Sequence, residues 1–112
     1  MRMATFLMIS RHTPQNCPMF HPETMKVYAA WLAKWQELAT KHGIKYIAAC
    51  SVNSEHLTVA IFEAPSLEAV QGYSMEPEIL AMNMVDSTEL KLATSMEEGI
   101  KMLQQLAASK ST

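Results

Sequence analysis

An α+β fold of order strand–helix–strand–strand–helix–strand, closed by a further helix, is what this sequence predicts. Three observations carry that reading. Strand-length apolar runs occupy 4–12, 44–52 and 57–64; helical periodicity separates the first two; and Ser95-Met-Glu-Glu98 forms a capping box behind the last strand. A chain of 112 residues provides for one domain, 1–112, with a single packed core.

Ala4–His12, with Thr5, Phe6 and Ile9, reads as a buried strand. His21-Pro22-Glu23 starts the first helix, with proline at its first position and an acid in its first turn. Tyr28, Trp31, Leu32, Trp35, Leu38 and Ala39 recur at helical spacing, and Gly43 ends the helix after Lys41 and His42. Ile44–Val52 and Leu57–Ala64 are β-rich runs joined by a hairpin turn, Asn53-Ser54-Glu55-His56. Ser66 caps a second helix with Leu67, Val70 and Tyr73 on one side, and Pro77 restarts it as a short piece through Met82. Thr88–Ala93 alternates Leu90 and Leu92 with Glu89 and Lys91, as a half-exposed strand does. The last helix is expected to turn Met96, Ile100, Leu103 and Leu106 inward, and Ala107–Thr112 to fray.

Composition narrows the partners. Apolar residues make up 49% of the chain and charged residues only 18%, which leaves little charge to cover a monomer and favours a subunit interface. The ten methionines serve equally as adaptable core filler. Net charge is −2 without a basic cluster, so neither nucleic acid nor an anionic membrane is an expected partner. The apolar runs are too short to cross a bilayer. Met1-Arg2-Met3 precedes one of them with no small-residue cleavage site before Arg11 and His12, so it reads as strand and not as a signal peptide. Two cysteines without an export signal imply reduced thiols and a cytoplasmic setting. With glycine only at 43, 72 and 99, no phosphate-cradling loop is present.

The βαββαβ order is the ferredoxin-like arrangement. With its extra C-terminal helix the chain resembles, over nearly its whole length, the dimeric α+β barrel superfamily. The resemblance rests on element order. It implies a sheet with helices on one face, and a partner subunit's sheet against the other to enclose a barrel, hence a homodimer through the sheet faces.

The chemistry concentrates in His12-Thr-Pro-Gln-Asn-Cys17-Pro-Met-Phe-His21, which links the first strand to the first helix. It holds two of four histidines and one of two cysteines, in a loop stiffened by Pro14, Pro18 and Pro22. Imidazole nitrogen and thiolate sulfur are preferred ligands of zinc and copper. Right-handed crossovers make the first two strands parallel and the third antiparallel, which brings His12, Cys17, His21 and His56 to one edge of the sheet. Phe6, Met8, Ser10 and His12 share one strand face; His56, Thr58, Ala60 and Phe62 share another. If the more aliphatic sets meet the helices, His12 and His56 face the inter-subunit cavity at its rim. The positive end of the helix dipole keeps His21 neutral and favours a Cys17 thiolate. Met19 would add a weak axial thioether, as in electron-transfer copper sites.

Each group also has a plainer role. Histidine is a common cap residue, and a lone cysteine is often a small buried hydrophobe. By parity with Tyr46 and Ala48, Cys50 belongs in the helix-facing core. His42 caps a helix end, Trp31 and Trp35 pack, and Arg11 reads as a solvated strand end that is able to orient an anion. Glu76, Glu78 and Asp86 show no acid–base spacing.

Two main functions follow. One is a small homodimeric transition-metal-binding protein, carrying Cu or Zn at His12, Cys17, His21 and His56, for metal handling, sensing or electron transfer. The other follows from the resemblance: a cofactor-free monooxygenase or isomerase acting on a small aromatic ligand, in a cavity lined by Phe6, Met8, Ile47, Thr58 and Phe62. Whether the chain is an enzyme stays open at this level. A plain oligomerisation module with a filled barrel is the third reading.

Overall fold

The computed structural model describes residues 3–110. The elements are β1 (Ala4–Arg11), α1 (Pro22–Lys41), β2 (Lys45–Val52), β3 (Leu57–Ala64), α2 (Leu67–Ser74), α3 (Pro77–Val85), β4 (Ser87–Ala93) and α4 (Met96–Lys110). The described residues thus form a mixed α+β fold with four helices and one four-stranded antiparallel sheet. Its order, β2-β3-β1-β4, fits a ferredoxin-like type.

Local chemistry sets the boundaries. The imidazole of His21 accepts the Thr24 amide at 3.2 Å and Pro22 opens α1. At the other end Gly43 adopts φ +70, while Ile44 N–H donates to Ala39 O (2.8 Å) and Gly43 N–H to Thr40 O (3.0 Å). That pair of bonds is the Schellman stop, and it requires a left-handed residue which glycine supplies without a Cβ clash. Ser66 Oγ and Ser95 Oγ cap α2 and α4 through the Ala69 and Glu98 amides. Starting at Pro77, α3 runs three residues beyond the expected Met82, to Val85.

The core lies between the sheet and α1–α3. Phe6, Phe62 and Ala64 of the sheet pack with Leu38, Ala39, Val70, Tyr73 and Ile79 of the helices. Phe6 and Phe62 face each other in register with ring centres 5.6 Å apart, and Tyr46 joins them edge-on to Trp35. Burying several such side chains at about 2 kcal/mol each is what holds the helical layer to the sheet.

Three expectations are overturned. First, the face assignment inverts: Phe6, Met8 and Ser10 point to the helices, and Leu7 and Ile61 to the open side. The aromatic set outweighs the aliphatic one because rings bury more area against α1 and α2. Second, Cys50 is exposed and not core. A β-bulge between Tyr46 and Ala48 leaves Tyr46 paired with Phe62 but moves Ala48 opposite Ile61 and Cys50 opposite Val59, on the open face. One inserted residue flips every later side chain of the strand. Third, α4 buries none of its residues; Met96, Ile100, Leu103 and Leu106 are exposed. Periodicity shows which stripe of a helix gets covered, not by what, and the helix-bearing face of the sheet is already occupied by α1–α3. Ala107–Lys110, in the tail expected to fray, belong to α4; Ser111, Thr112 and the Met1-Arg2 start lie outside the described residues.

Candidate metal centre

Register makes the centre. Because Arg11 pairs with Leu57, the next residue out on β1 meets the residue just before β3, and His12 N–H donates to His56 O at 3.1 Å. Residues forty-four apart in sequence therefore share one end of the sheet. His56 closes the Asn53–Glu55 turn at φ 54, ψ 46. This left-handed conformation is uncommon for a residue with a side chain, and it costs on the order of 1 kcal/mol. It sets the imidazole against that of His12, with Nδ1 of His56 3.1 Å from Nε2 of His12.

The third member comes from the loop. Thr13 caps a single 3₁₀ turn, Pro14–Asn16, and the chain then folds Cys17 inward to 5% exposure. Its carbonyl accepts the amides of Phe20 and His21 at 3.0 and 2.9 Å, which fixes the turn into α1. One ligand atom each from His12, Cys17 and His56 lies within 4.8 Å of the other two, so the three can hold a metal ion. On a zinc ion with bonds of about 2.0–2.1 Å to nitrogen and about 2.3 Å to sulfur, tetrahedral angles separate two nitrogens by about 3.3 Å and nitrogen from sulfur by about 3.5 Å. The two imidazoles, 3.1 Å apart, are already at that spacing, and the Cys17 thiol lies within 4.8 Å of both.

Behind His12 stands a polar relay. The Tyr28 hydroxyl, on α1, lies 3.2 Å from His12 Nδ1 and donates to both oxygens of Asp86 at 3.0 and 3.1 Å. Ser10 Oγ also donates to Asp86, at 2.9 Å. A carboxylate only accepts, so the tyrosine proton is committed to Asp86 and the tyrosine oxygen is left to accept from His12 Nδ1–H. That fixes the His12 tautomer and aims the Nε2 lone pair at the shared space, the orienting role that outer carboxylates play for metal-binding histidines. Burial, followed by the charge of Asp86, raises the Tyr28 hydroxyl well above its ordinary value, so it stays protonated. Burial also raises Asp86, against the opposing hydrogen bonds from Ser10 and Tyr28 and the charge of His12.

The remaining expected site residues lie elsewhere. His21 is not part of the cluster: its Nδ1 faces the Thr24 amide and hydroxyl, at 3.2 and 3.0 Å. Met19 is 74% exposed. The cluster also does not face the open side of the sheet, where a partner subunit was expected, since His12 meets Tyr28 of α1 and belongs with the helix-covered layer. The residues expected to line an aromatic pocket are dispersed: Phe6 and Phe62 are core, Ile47 is exposed at the bulge, and Met8 and Thr58 line a cavity between sheet and helices. Of the plainer readings, His42 caps α1 and reaches Glu76 at 2.7 Å, and Arg11 pairs with Glu89 at 3.0 Å.

Tyr28 and Asp86 are the site residues that sequence reasoning missed. Tyr28 reads as one more apolar position on an amphipathic helix, and Asp86 as a loop acid between α3 and β4. Only tertiary structure brings them to His12.

No protein-family model matches this chain, and no curated protein matches it in sequence. Among the described residues no helix is long and apolar enough to cross a membrane.

Proposed function

We propose that this chain is a small homodimeric protein that binds a transition metal reversibly through His12, Cys17 and His56, with zinc or copper as the ion. The observation that carries the reading is the convergence of two imidazoles and one buried thiol within 4.8 Å, backed by a hydrogen-bonded carboxylate relay on one of the imidazoles. Two nitrogens and one sulfur suit Zn(II) or Cu(I), and three protein ligands leave a coordination position for an incoming or outgoing donor. Electron-transfer copper sites of the two-His, one-Cys type carry a weak axial ligand, commonly a thioether. Met19, the nearest methionine in the loop, is exposed, so metal handling is the better-supported role.

The homodimer rests on the open face of the sheet. Leu7, Ile47 and Ile61 there, with Met96 at the root of α4, border an apolar depression of about 950 Å³. Exposed apolar area of this kind marks an association surface, and a second sheet is its proposed cover. The thiol chemistry suits a reducing compartment such as the cytoplasm, where Cys17 remains free to ligate.

Metal content after purification without a polyhistidine tag tests the proposal. Mass spectrometry should find one ion per chain in the wild type, and a loss of that ion in Cys17→Ser and His12→Ala. Equal metal content in all three would overturn it.

A further inference from the structure

A second feature lies between the sheet and α1–α3, beside the metal-ligand cluster and sharing Tyr28 and Asp86 with its relay. It is a cavity of about 210 Å³ whose walls include the rings of Tyr28, Trp31, Tyr46 and Tyr73. Neither His12, Cys17 nor His56 lines it, and no lysine or arginine does. Asp86 is the one carboxylate there. Its Oδ2 receives both Ser10 and Tyr28, whereas Oδ1 receives Tyr28 alone and retains acceptor capacity.

We infer that this cavity binds a small organic ammonium ion carrying one ring, of the benzylammonium class, with its charge on Asp86 Oδ1 and its ring among the aromatic walls. A cavity of about 150 Å³ accepts benzene, so 210 Å³ adds room for roughly two more heavy atoms, a methylene and an ammonium group. A half-buried carboxylate with no lysine or arginine in the cavity wall is stabilised by a cationic ligand and repels carboxylates and phosphates. The negative faces of tryptophan and tyrosine rings add to the preference for a cation over a neutral isostere. A hydroxyl in place of the ammonium donates one hydrogen bond but leaves the charge of Asp86 uncompensated.

The test uses the full chain, freed of metal by dialysis against a chelator, in calorimetric titrations with benzylamine, benzyl alcohol and benzoate at neutral pH. Benzylamine should bind at least about tenfold more tightly than benzyl alcohol, and benzoate should show no heat of binding. Nuclear Overhauser contacts from the benzylamine ring to the Trp31 indole place the ligand without any substitution. Asp86→Asn should erase the preference for the amine, while Cys17→Ser, which removes a metal ligand and leaves the Ser10 and Tyr28 bonds to Asp86 in place, should retain it, which separates this site from the metal proposal. Benzyl alcohol binding as tightly as benzylamine, or benzylamine making no contact with Trp31, would overturn the inference.

Discussion

Replacing Tyr28 by phenylalanine removes one oxygen and leaves a ring of the same shape in place. That oxygen lies 3.2 Å from His12 Nδ1 and donates to Asp86 at 3.0 and 3.1 Å, so two consequences separate. His12 loses the group that fixes its tautomer, and outer-shell losses of this kind reduce metal affinity by about 10- to 100-fold, or roughly 1.4–2.7 kcal/mol. Asp86 keeps Ser10 at 2.9 Å but loses its other donor while half buried, which costs about 1–3 kcal/mol of stability and lowers Tm by about 4–13 °C. Competition against a chromophoric zinc chelator reads the first effect, and thermal unfolding of the metal-free protein the second. Tyr46→Phe is the control: its hydroxyl bonds Tyr73 at 3.1 Å in the core and has no bond to His12. It should lower Tm and leave metal affinity unchanged. Unaltered zinc affinity in Tyr28→Phe, or an equal loss in Tyr46→Phe, would refute the relay.

Other outcomes follow from the same geometry. Cys17→Ser should weaken metal binding by about 100-fold or more, while Cys50→Ser on the open face should match the wild type in the same competition titration. Metal affinity should fall as pH is lowered, because protons compete for the imidazole lone pairs, and zinc titrations across the acidic range would show it. His21→Ala should cost about 1 kcal/mol of stability through the lost cap on α1 and leave zinc affinity unchanged, read by unfolding and by titration. Glu76 is held below the usual carboxylate range by Lys41 at 2.8 Å, then by His42 at 2.7 Å. A depressed carboxylate stabilises the fold above its ordinary titration range, and that contribution is lost as pH falls through its lower folded value. The stability advantage of wild type over Glu76→Gln at neutral pH should therefore shrink as pH falls below the ordinary glutamate range of about 4.3 in denaturant titrations.

Much of the fold was legible because its signals are local. The His21-Pro22 start, the Gly43 stop, and the Ser66 and Ser95 caps act within four residues of themselves, and each element they bound was expected. The meeting of His12 with His56 was legible too, since strand direction alone brings the end of the first strand to the start of the third. What failed was non-local. A bulge at residues 46–48 has no strong sequence mark, yet it moved Cys50 from the core to the open face. Hydrophobicity did not say which strand face the helices choose, because both faces of β1 and β3 are apolar. That ambiguity put the site on the wrong side of the sheet. Tyr28 and Asp86 carry no motif, and their part in the site depends on α1 and the α3–β4 junction packing at one end of the sheet.

X-ray absorption at the zinc edge, on protein loaded with one equivalent, tests the central claim most directly. The account predicts two nitrogen scatterers at about 2.0–2.1 Å and one sulfur at about 2.3 Å, with the sulfur lost in Cys17→Ser and kept in Cys50→Ser. A shell of oxygen and nitrogen alone in the wild type would contradict it, because the ion would then be held somewhere other than His12, Cys17 and His56.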